Sequence, residues 1–243
     1  KFIDHILLLF NFEKPYYDKE NISNEFVGHP LLDNTFESPI DINQILKKNN
    51  ALISIFAGSR KSELEVLTPV LLNFIKFMNK KYDDFTYVFH STKEYSDLIQ
   101  AYIKKSNLNN CEVISDNKIK SHILKKSVFA VAKSGTVSLE ICNAKIPSII
   151  IYKMGLINFL IIKMLVKTKY ANILNIAANE EIIPELLQSN CNPKKIFDHV
   201  SNFLDNPKKI ESQVKKTQSI LNNFKTNKSA SEQTALALNK LLN

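Results

Sequence analysis

Leu52-Ile53-Ser54-Ile55-Phe56-Ala57-Gly58-Ser59-Arg60 leads directly into an apolar-periodic stretch that begins at Glu63. An apolar run closed by a small-residue turn and followed by helical spacing reads as a buried strand, a tight turn and a helix start. Backbone N–H groups at such a turn, the Ser59 hydroxyl and the Arg60 guanidinium can converge at a helix N-terminus, which suits a phosphate. The plainer reading is a capped turn whose arginine pairs with Glu63 or Glu65. Two counts favour the phosphate. Arg60 is the single arginine among 32 basic residues, and a chain so biased toward lysine keeps arginine where a planar, bidentate contact is needed. Glycine is also scarce: Gly28, Gly58, Gly135 and Gly155 are the only 4, where average usage gives about 17. Such survivors mark left-handed backbone or close approach by a ligand.

Around this stretch, short apolar runs alternate with helical patterns. The runs predict strands at Ile6–Phe10, Leu52–Phe56, Phe85–Phe89, Glu112–Ile114, Val128–Ala132 and Ser148–Tyr152. Helices are expected at Glu63–Asn79, Lys93–Lys105, Ile119–Lys125, Val137–Asn143 and Asn158–Val166, then at Glu181–Ser189, Lys194–Asp205, Lys208–Asn223 and Ser231–Leu242. From residue 51 the β-α-β-α order predicts an α/β fold, a Rossmann-like parallel sheet with helices on both faces and C-terminal helices after it. Ligands in such sheets sit beyond the carboxyl ends of the strands. Asp33–Asn50 is polar, carries Pro39 and reads as a linker with a short helix at Ile40–Lys47. Residues 1–30 hold one strand and a turn, too little to fold alone, and the first residue is not Met. They are expected to be the remnant of a preceding domain. The element order divides the chain into 1–30, a linker over 31–50, a parallel-sheet domain over 51–222 and a C-terminal helix over 223–243, expected to pack on that preceding domain or on a partner chain.

A second turn of the same kind is Ala132-Lys133-Ser134-Gly135-Thr136, leading into Val137-Ser138-Leu139-Glu140. Small side chains admit a ligand to the backbone, and Glu140 can accept hydrogen bonds from ribose hydroxyls. An ordinary helix cap with an exposed glutamate explains the same residues. Lys169–Ile176 is a loop without specific chemistry. Met154–Lys169 sets apolar residues among four lysines, a pattern shared by membrane-surface helices and core helices. The net charge of +8 suits an anionic partner. It is spread along the chain with no aromatic interleaving, so nucleic acid is the poorest fit. No apolar run reaches the roughly 18 residues of a membrane span. Cys111, Cys142 and Cys191 are odd in number and widely spaced, which predicts free thiols in a reducing cytosol and no metal site.

Phe2-Ile3-Asp4-His5, Phe12-Glu13, Phe26-Val27-Gly28-His29-Pro30-Leu31, Gly58-Ser59-Arg60-Lys61-Ser62-Glu63, Ser134–Glu140, Tyr152-Lys153, Leu165–Tyr170, Asn175 and Pro184–Gln188 occur in this order. Together they resemble the lipid-A-disaccharide synthase family of GT-B glycosyltransferases over essentially the whole chain. The resemblance implies a two-domain GT-B enzyme whose N-terminal Rossmann-like domain is largely absent here. It implies UDP-2,3-diacylglucosamine as donor, 2,3-diacylglucosamine 1-phosphate as acceptor, and a β-1,6-linked lipid A disaccharide precursor plus UDP as products. No cofactor or metal is expected. By position, Arg60 clamps the UDP phosphates and Asn175 is the active-site asparagine; Gly58, Ser59, Ser134, Gly135 and Thr136 line the nucleotide, with Glu140 at the ribose. Members work at the cytoplasmic face of the inner membrane and can dimerise through their C-terminal segments.

The sequence departs from the family where prolines are expected: Asn11, Ala57 and Leu174 stand there, and Asn179 replaces a glycine. These changes leave the nucleotide site tolerable and the Asn175 loop less fixed. The acceptor site and the proposed carboxylate base belong to the family's N-terminal half. The competing expectations are a non-enzymatic nucleotide-binding remnant and another UDP-sugar enzyme of the same fold.

Overall fold

The computed structural model describes residues 2–33, 51–155 and 168–242. The expected helices at Ile40–Lys47 and Asn158–Val166 lie outside these residues.

The main body is a six-stranded sheet of β3 (Ala51–Phe56), β4 (Phe85–His90), β5 (Cys111–Ile114), β6 (Ser127–Lys133), β7 (Ser148–Tyr152) and β8 (Glu185–Leu187). Its spatial order is β5-β4-β3-β6-β7-β8, and every neighbouring pair is parallel. Strand order runs outward in one direction from β3 to β5 and in the other from β6 to β8. The reversal lies between β3 and β6, where a crevice opens beyond the carboxyl ends.

Both faces of the sheet are covered, which is why its strands are almost uninterrupted apolar runs. Alternate residues of β3 serve opposite faces. Ile53 and Ile55 join Tyr87, Phe89, Phe129 and Val131 in one core, under α2 (Lys61–Met78), α3 (Ser96–Ser106) and a later helix, Pro193–Leu204. Phe56, Ala130, Ala132 and Ile150 join the opposite core, under α5 (Val137–Asn143) and the helix Pro207–Asn222. On that second face α4 (Asn117–Lys126) covers Leu52 and Val88 through Ile123.

Two local expectations are corrected. Glu181–Ser189 is not a helix. Pro184 offers no N–H and biases Ile183 toward extended backbone, and β7 presents an edge that needs pairing. Residues 185–187 therefore become β8, and the Pro184 carbonyl accepts from the Ile150 N–H at 2.9 Å. Conversely, part of the stretch expected as a loop forms α6 (Ile173–Ala178), begun by the Asn172 side chain, which accepts from the Leu174 N–H at 2.9 Å. The remaining helices are α7 (Pro193–Leu204), α8 (Pro207–Asn222) and α9 (Ala230–Leu242).

Residues 2–33 are more than a strand and a turn. β1 (His5–Leu8) pairs in parallel with β2 (Ser23–Phe26) across the short α1 (Lys14–Lys19), a miniature β-α-β unit. The chain end fastens it to the main body. Phe224 meets the Phe10 ring edge-on at 4.9 Å and lies 5.9 Å from the Phe12 ring. The Asp33 carboxylate accepts from the Ala230 N–H at the start of α9, at 3.1 Å. Lys240 of α9 reaches Glu25 of β2 at 3.3 Å.

Candidate active site

A cleft of about 260 Å³ opens at the strand-order reversal. Its walls are Phe56, Gly58 and Ser59 after β3; His90, Ser91 and Thr92 at the end of β4; Asn117 and Lys120 of α4; and Lys133 to Val137 with Glu140 after β6. Both small-residue turns read from the sequence therefore line one cavity. The wall supplied by β4 and α4 has no motif in the sequence. Its signal is topological, since β4 lies beside β3 on the side away from β6.

The first turn is built differently from the expectation. Glu63, on the first turn of α2, folds back over it. Its Oε2 accepts from the Ser59 N–H at 3.0 Å and from the Arg60 N–H at 3.4 Å. The two amides expected to hold a phosphate are thus held by the chain's own carboxylate, an N-terminal capping arrangement that satisfies donors the helix cannot. Gly58 is at φ +120°, and a Cβ there would stand 2.5 Å from Glu63 Oε2 and 2.8 Å from Glu63 Cβ. Glycine is needed here because Glu63 occupies the space. Glu63 Oε1 also takes Lys133 Nζ at 3.0 Å. Burial pushes the Glu63 carboxyl up, but Lys133 and the Ser59 and Arg60 amides outweigh it and hold the group below its ordinary value.

Arg60 follows the wall residue Ser59 but is not itself one of the cleft walls. Its side chain is 80% exposed, and the nearest carboxylate, Glu63, is 3.9 Å away. Such a surface pair is weak, so the guanidinium is available to a ligand. The cleft lysines are more firmly engaged: Lys133 faces Glu63, and Lys120 faces Glu140 at 2.6 Å. Glu140 does point at the cavity, as expected, but α4 already supplies it with a cation.

The second turn is open. Gly135 has nothing nearer than 4.0 Å to an added Cβ, the Lys133 carbonyl. Thr136 lies beside it on the wall. The Ser134 hydroxyl is turned away, donating to the Ala171 carbonyl at 2.8 Å. That bond ties the cleft to the segment leading into α6. Glu185 holds the same segment, accepting from the Ala171 N–H at 2.7 Å and the Asn172 N–H at 2.9 Å.

Asn175 is fully buried. Its amide donates to the Ile183 carbonyl at 2.7 Å and to Glu185 at 2.8 Å, and its oxygen accepts from the Ile182 and Ile183 N–H groups at 2.9 and 3.0 Å. All four hydrogen-bonding positions of the side chain are used within the fold. Asn175, expected as the active-site asparagine, in this geometry holds the α6–β8 connection and orients Glu185.

His90 is 6% exposed, stacks on Phe56 with ring centroids 4.3 Å apart, and contacts Ser54. Burial, with Lys120 nearby, lowers its pKa to about 3, so the ring is neutral. Burial also pushes the thiols of Cys111 and Cys142 up to about 12 and that of Cys191 to about 11, which makes them poor nucleophiles. Among the described residues no group of three or more His, Cys, Asp or Glu side chains is placed to hold a metal ion, and no helix is long and apolar enough to cross a membrane.

Comparison with known proteins gives these positions a context. Residues 1–239 match the family model described as lipid-A-disaccharide synthetase. The lipid-A-disaccharide synthase of Rickettsia prowazekii is 32% identical over 237 residues, covering 95% of this chain and 62% of that protein. The synthase of a Sulfurihydrogenibium species is 34% identical over 217 residues, 83% of this chain and 56% of that one. The chain thus spans less than two thirds of the length of these relatives. Among solved structures, a UDP co-structure of S. aureus MnaA superposes with a TM-score of 0.68 at 14% identity, covering 98% of this chain and 60% of that one. The UDP-GlcNAc 2-epimerase of Neisseria meningitidis bound to UDP-GlcNAc gives 0.64 at 15% identity, with 99% and 62% covered. At such identities the likeness speaks to the α/β fold.

Proposed function

The chain belongs to the lipid-A-disaccharide synthetase family, and from that premise we propose that its cleft is the donor site of a glycosyltransferase making the lipid A disaccharide precursor. The donor is UDP-2,3-diacylglucosamine, the acceptor is 2,3-diacylglucosamine 1-phosphate, and UDP leaves. One observation carries the reading. The cleft lies beyond the carboxyl ends of β3, β4 and β6 at the strand-order reversal, and Arg60, the chain's one arginine, directly follows its wall residue Ser59 and is only loosely paired. Arg60 is proposed to meet the diphosphate bidentately and to stabilise its negative charge as the glycosidic bond breaks. Lys120 and Lys133 raise the local potential while Glu140 and Glu63 hold them in place. Gly135 and Thr136 let the nucleotide approach the backbone. Asn175 and Glu185 act at one remove, fixing the segment to which Ser134 is tied.

Transfer also needs a base at the acceptor hydroxyl, in line with the donor. Glu63 and Glu140 are ion-paired, and burial makes the His90 ring too weak a base, so none of these cleft groups suits the task. We therefore assign this span the donor half of the reaction, with base and acceptor site supplied from the relatives' remaining length. Work on acylated sugars fits a protein lying on the cytoplasmic face of the inner membrane. The test is calorimetry with UDP, followed by a disaccharide assay from both acylated substrates. UDP binding without turnover by residues 1–243, and turnover when the rest of a family member is supplied, are the expected results. Turnover by this chain alone would overturn the division of labour, and absence of UDP binding would overturn the site.

A further inference from the structure

A chain of hydrogen bonds behind the cleft fixes which nitrogen of His90 carries its hydrogen. Ser127 Oγ donates to the Ile123 carbonyl at 3.0 Å, because a carbonyl oxygen only accepts. With its one proton so committed, Ser127 accepts from Ser54, 2.8 Å away. Ser54 then has no proton left, so the 2.9 Å contact between Ser54 Oγ and His90 Nε2 has its hydrogen on the imidazole. All three side chains are buried. The neutral ring therefore presents a bare lone pair at Nδ1. Among the described residues that atom has no partner, nor has the hydroxyl of the adjacent Ser91, and both residues line the cleft. Unpaired buried acceptors are rare in folded proteins because each forfeits its hydration. Stacking on Phe56 requires no nitrogen and does not explain this one.

We propose that His90 is a specificity-determining residue whose Nδ1 accepts a hydrogen bond from the nucleoside part of the ligand, a ribose hydroxyl or the imide N–H of the base. This role presupposes the UDP site proposed for the cleft. The choice of nucleoside over diphosphate follows from polarity. Diphosphate oxygens at neutral pH are acceptors and meet a lone pair with repulsion, whereas the hydrogen-bond donors of UDP lie on its sugar and base. Nδ1 is shielded from bulk water, so a ligand reaches it through the side-chain adjustments that commonly accompany binding. A dry acceptor of this kind discriminates well, since a ligand lacking the donor leaves it unpaired.

Calorimetry with UDP, uridine 5′-monophosphate and inorganic pyrophosphate, on the chain and on His90→Phe, reads the assignment. The substitution keeps a ring against Phe56, and Ser54 can still donate to Ser127. UDP and the monophosphate should each bind about tenfold more weakly, with pyrophosphate unchanged. Nitrogen-15 NMR of the unaltered chain gives a second readout that does not depend on how the variant folds. It should show the Nε2–H tautomer and an Nδ1 resonance that moves when UDP is added. UDP affinity undiminished in His90→Phe, equal losses for all three probes, an Nδ1–H tautomer, or an Nδ1 resonance unmoved at saturating UDP would each overturn the role of His90 alone. If the unaltered chain binds no UDP, the donor site falls and this role falls with it.

Discussion

The turn after β3 and the turn after β6 look alike in sequence, each a glycine beside a serine at a strand-to-helix junction, yet they use smallness for opposite ends. At Gly58 the space is already filled: the Glu63 side chain packs where a Cβ would stand and takes the Ser59 and Arg60 amides. At Gly135 the space is empty, and Ser134 ties the turn outward to Ala171. One glycine accommodates the protein, and the other, among the described residues, leaves open space on the cleft wall. A small residue in a loop therefore says that something comes close without saying whether it is self or guest.

Substitution at the two glycines is the sharpest test of this difference. Gly58→Ala should cost about 3 kcal/mol of stability, from left-handed strain and overlap with Glu63, read as a lowered midpoint in urea. A midpoint like that of the parent would mean that Glu63 does not occupy the turn. Glu63→Ala comes next at about 2 kcal/mol, because two amides and Lys133 lose their partner together. Its penalty should depend on pH. The folded-state pKa of Glu63 is depressed, so its ionic contribution is fully present above the unfolded carboxylate value of about 4.3 and is lost as pH falls through the folded value. The gap between Glu63→Gln and parent should accordingly narrow on acidification below about pH 4, and a gap constant from pH 7 to 3 would remove the ion pair from the account. Arg60→Lys should leave stability within about 0.5 kcal/mol, the side chain being exposed, while weakening UDP about tenfold through loss of the bidentate contact. Equal UDP affinity in calorimetry would take Arg60 out of the site. Gly135→Ala is the mildest, at about 0.5 kcal/mol or less in stability, with UDP affinity falling several-fold. A stability loss as large as that of Gly58→Ala would erase the contrast.

Much of the fold is legible in the sequence because it rests on local pattern. β3, β4, β6 and β7 are long apolar runs, and their alternating faces match the two cores. α2, α7 and α8 follow helical spacing. What escapes the sequence is decided by neighbours distant along the chain. β8 is three residues long and exists because β7 has an edge to pair; its glutamate and leucines are equally good helix formers. β2 needs β1, and α6 needs the Asn172 cap. In the site, the convergence of the Gly58 and Gly135 turns follows from strand order and can be read in advance. The occupant of the Gly58 amides cannot, since Glu63 reads equally well as a solvent-facing helix residue. Nor can the satisfied state of Asn175, whose partners Ile182, Ile183 and Glu185 are set by the path of the chain toward β8.

The bonds from Phe224, Ala230 and Lys240 back to Phe10, Asp33 and Glu25 have a consequence for the order of assembly. Glu25 and Lys240 are 215 positions apart, so this closure is the most distant in sequence among the contacts described for the unit formed by β1, α1 and β2. Such closures come late, because nearly the whole chain must be ordered before they form. Synthesis from the N-terminus sharpens the delay. Residues 2–33 leave the ribosome long before these partners, and Phe10 and Phe12 wait without Phe224 until residues 224–242 emerge. A chaperone that shelters nascent residues 2–33 would therefore matter most to this segment, and a stop codon before Phe224 would strand it.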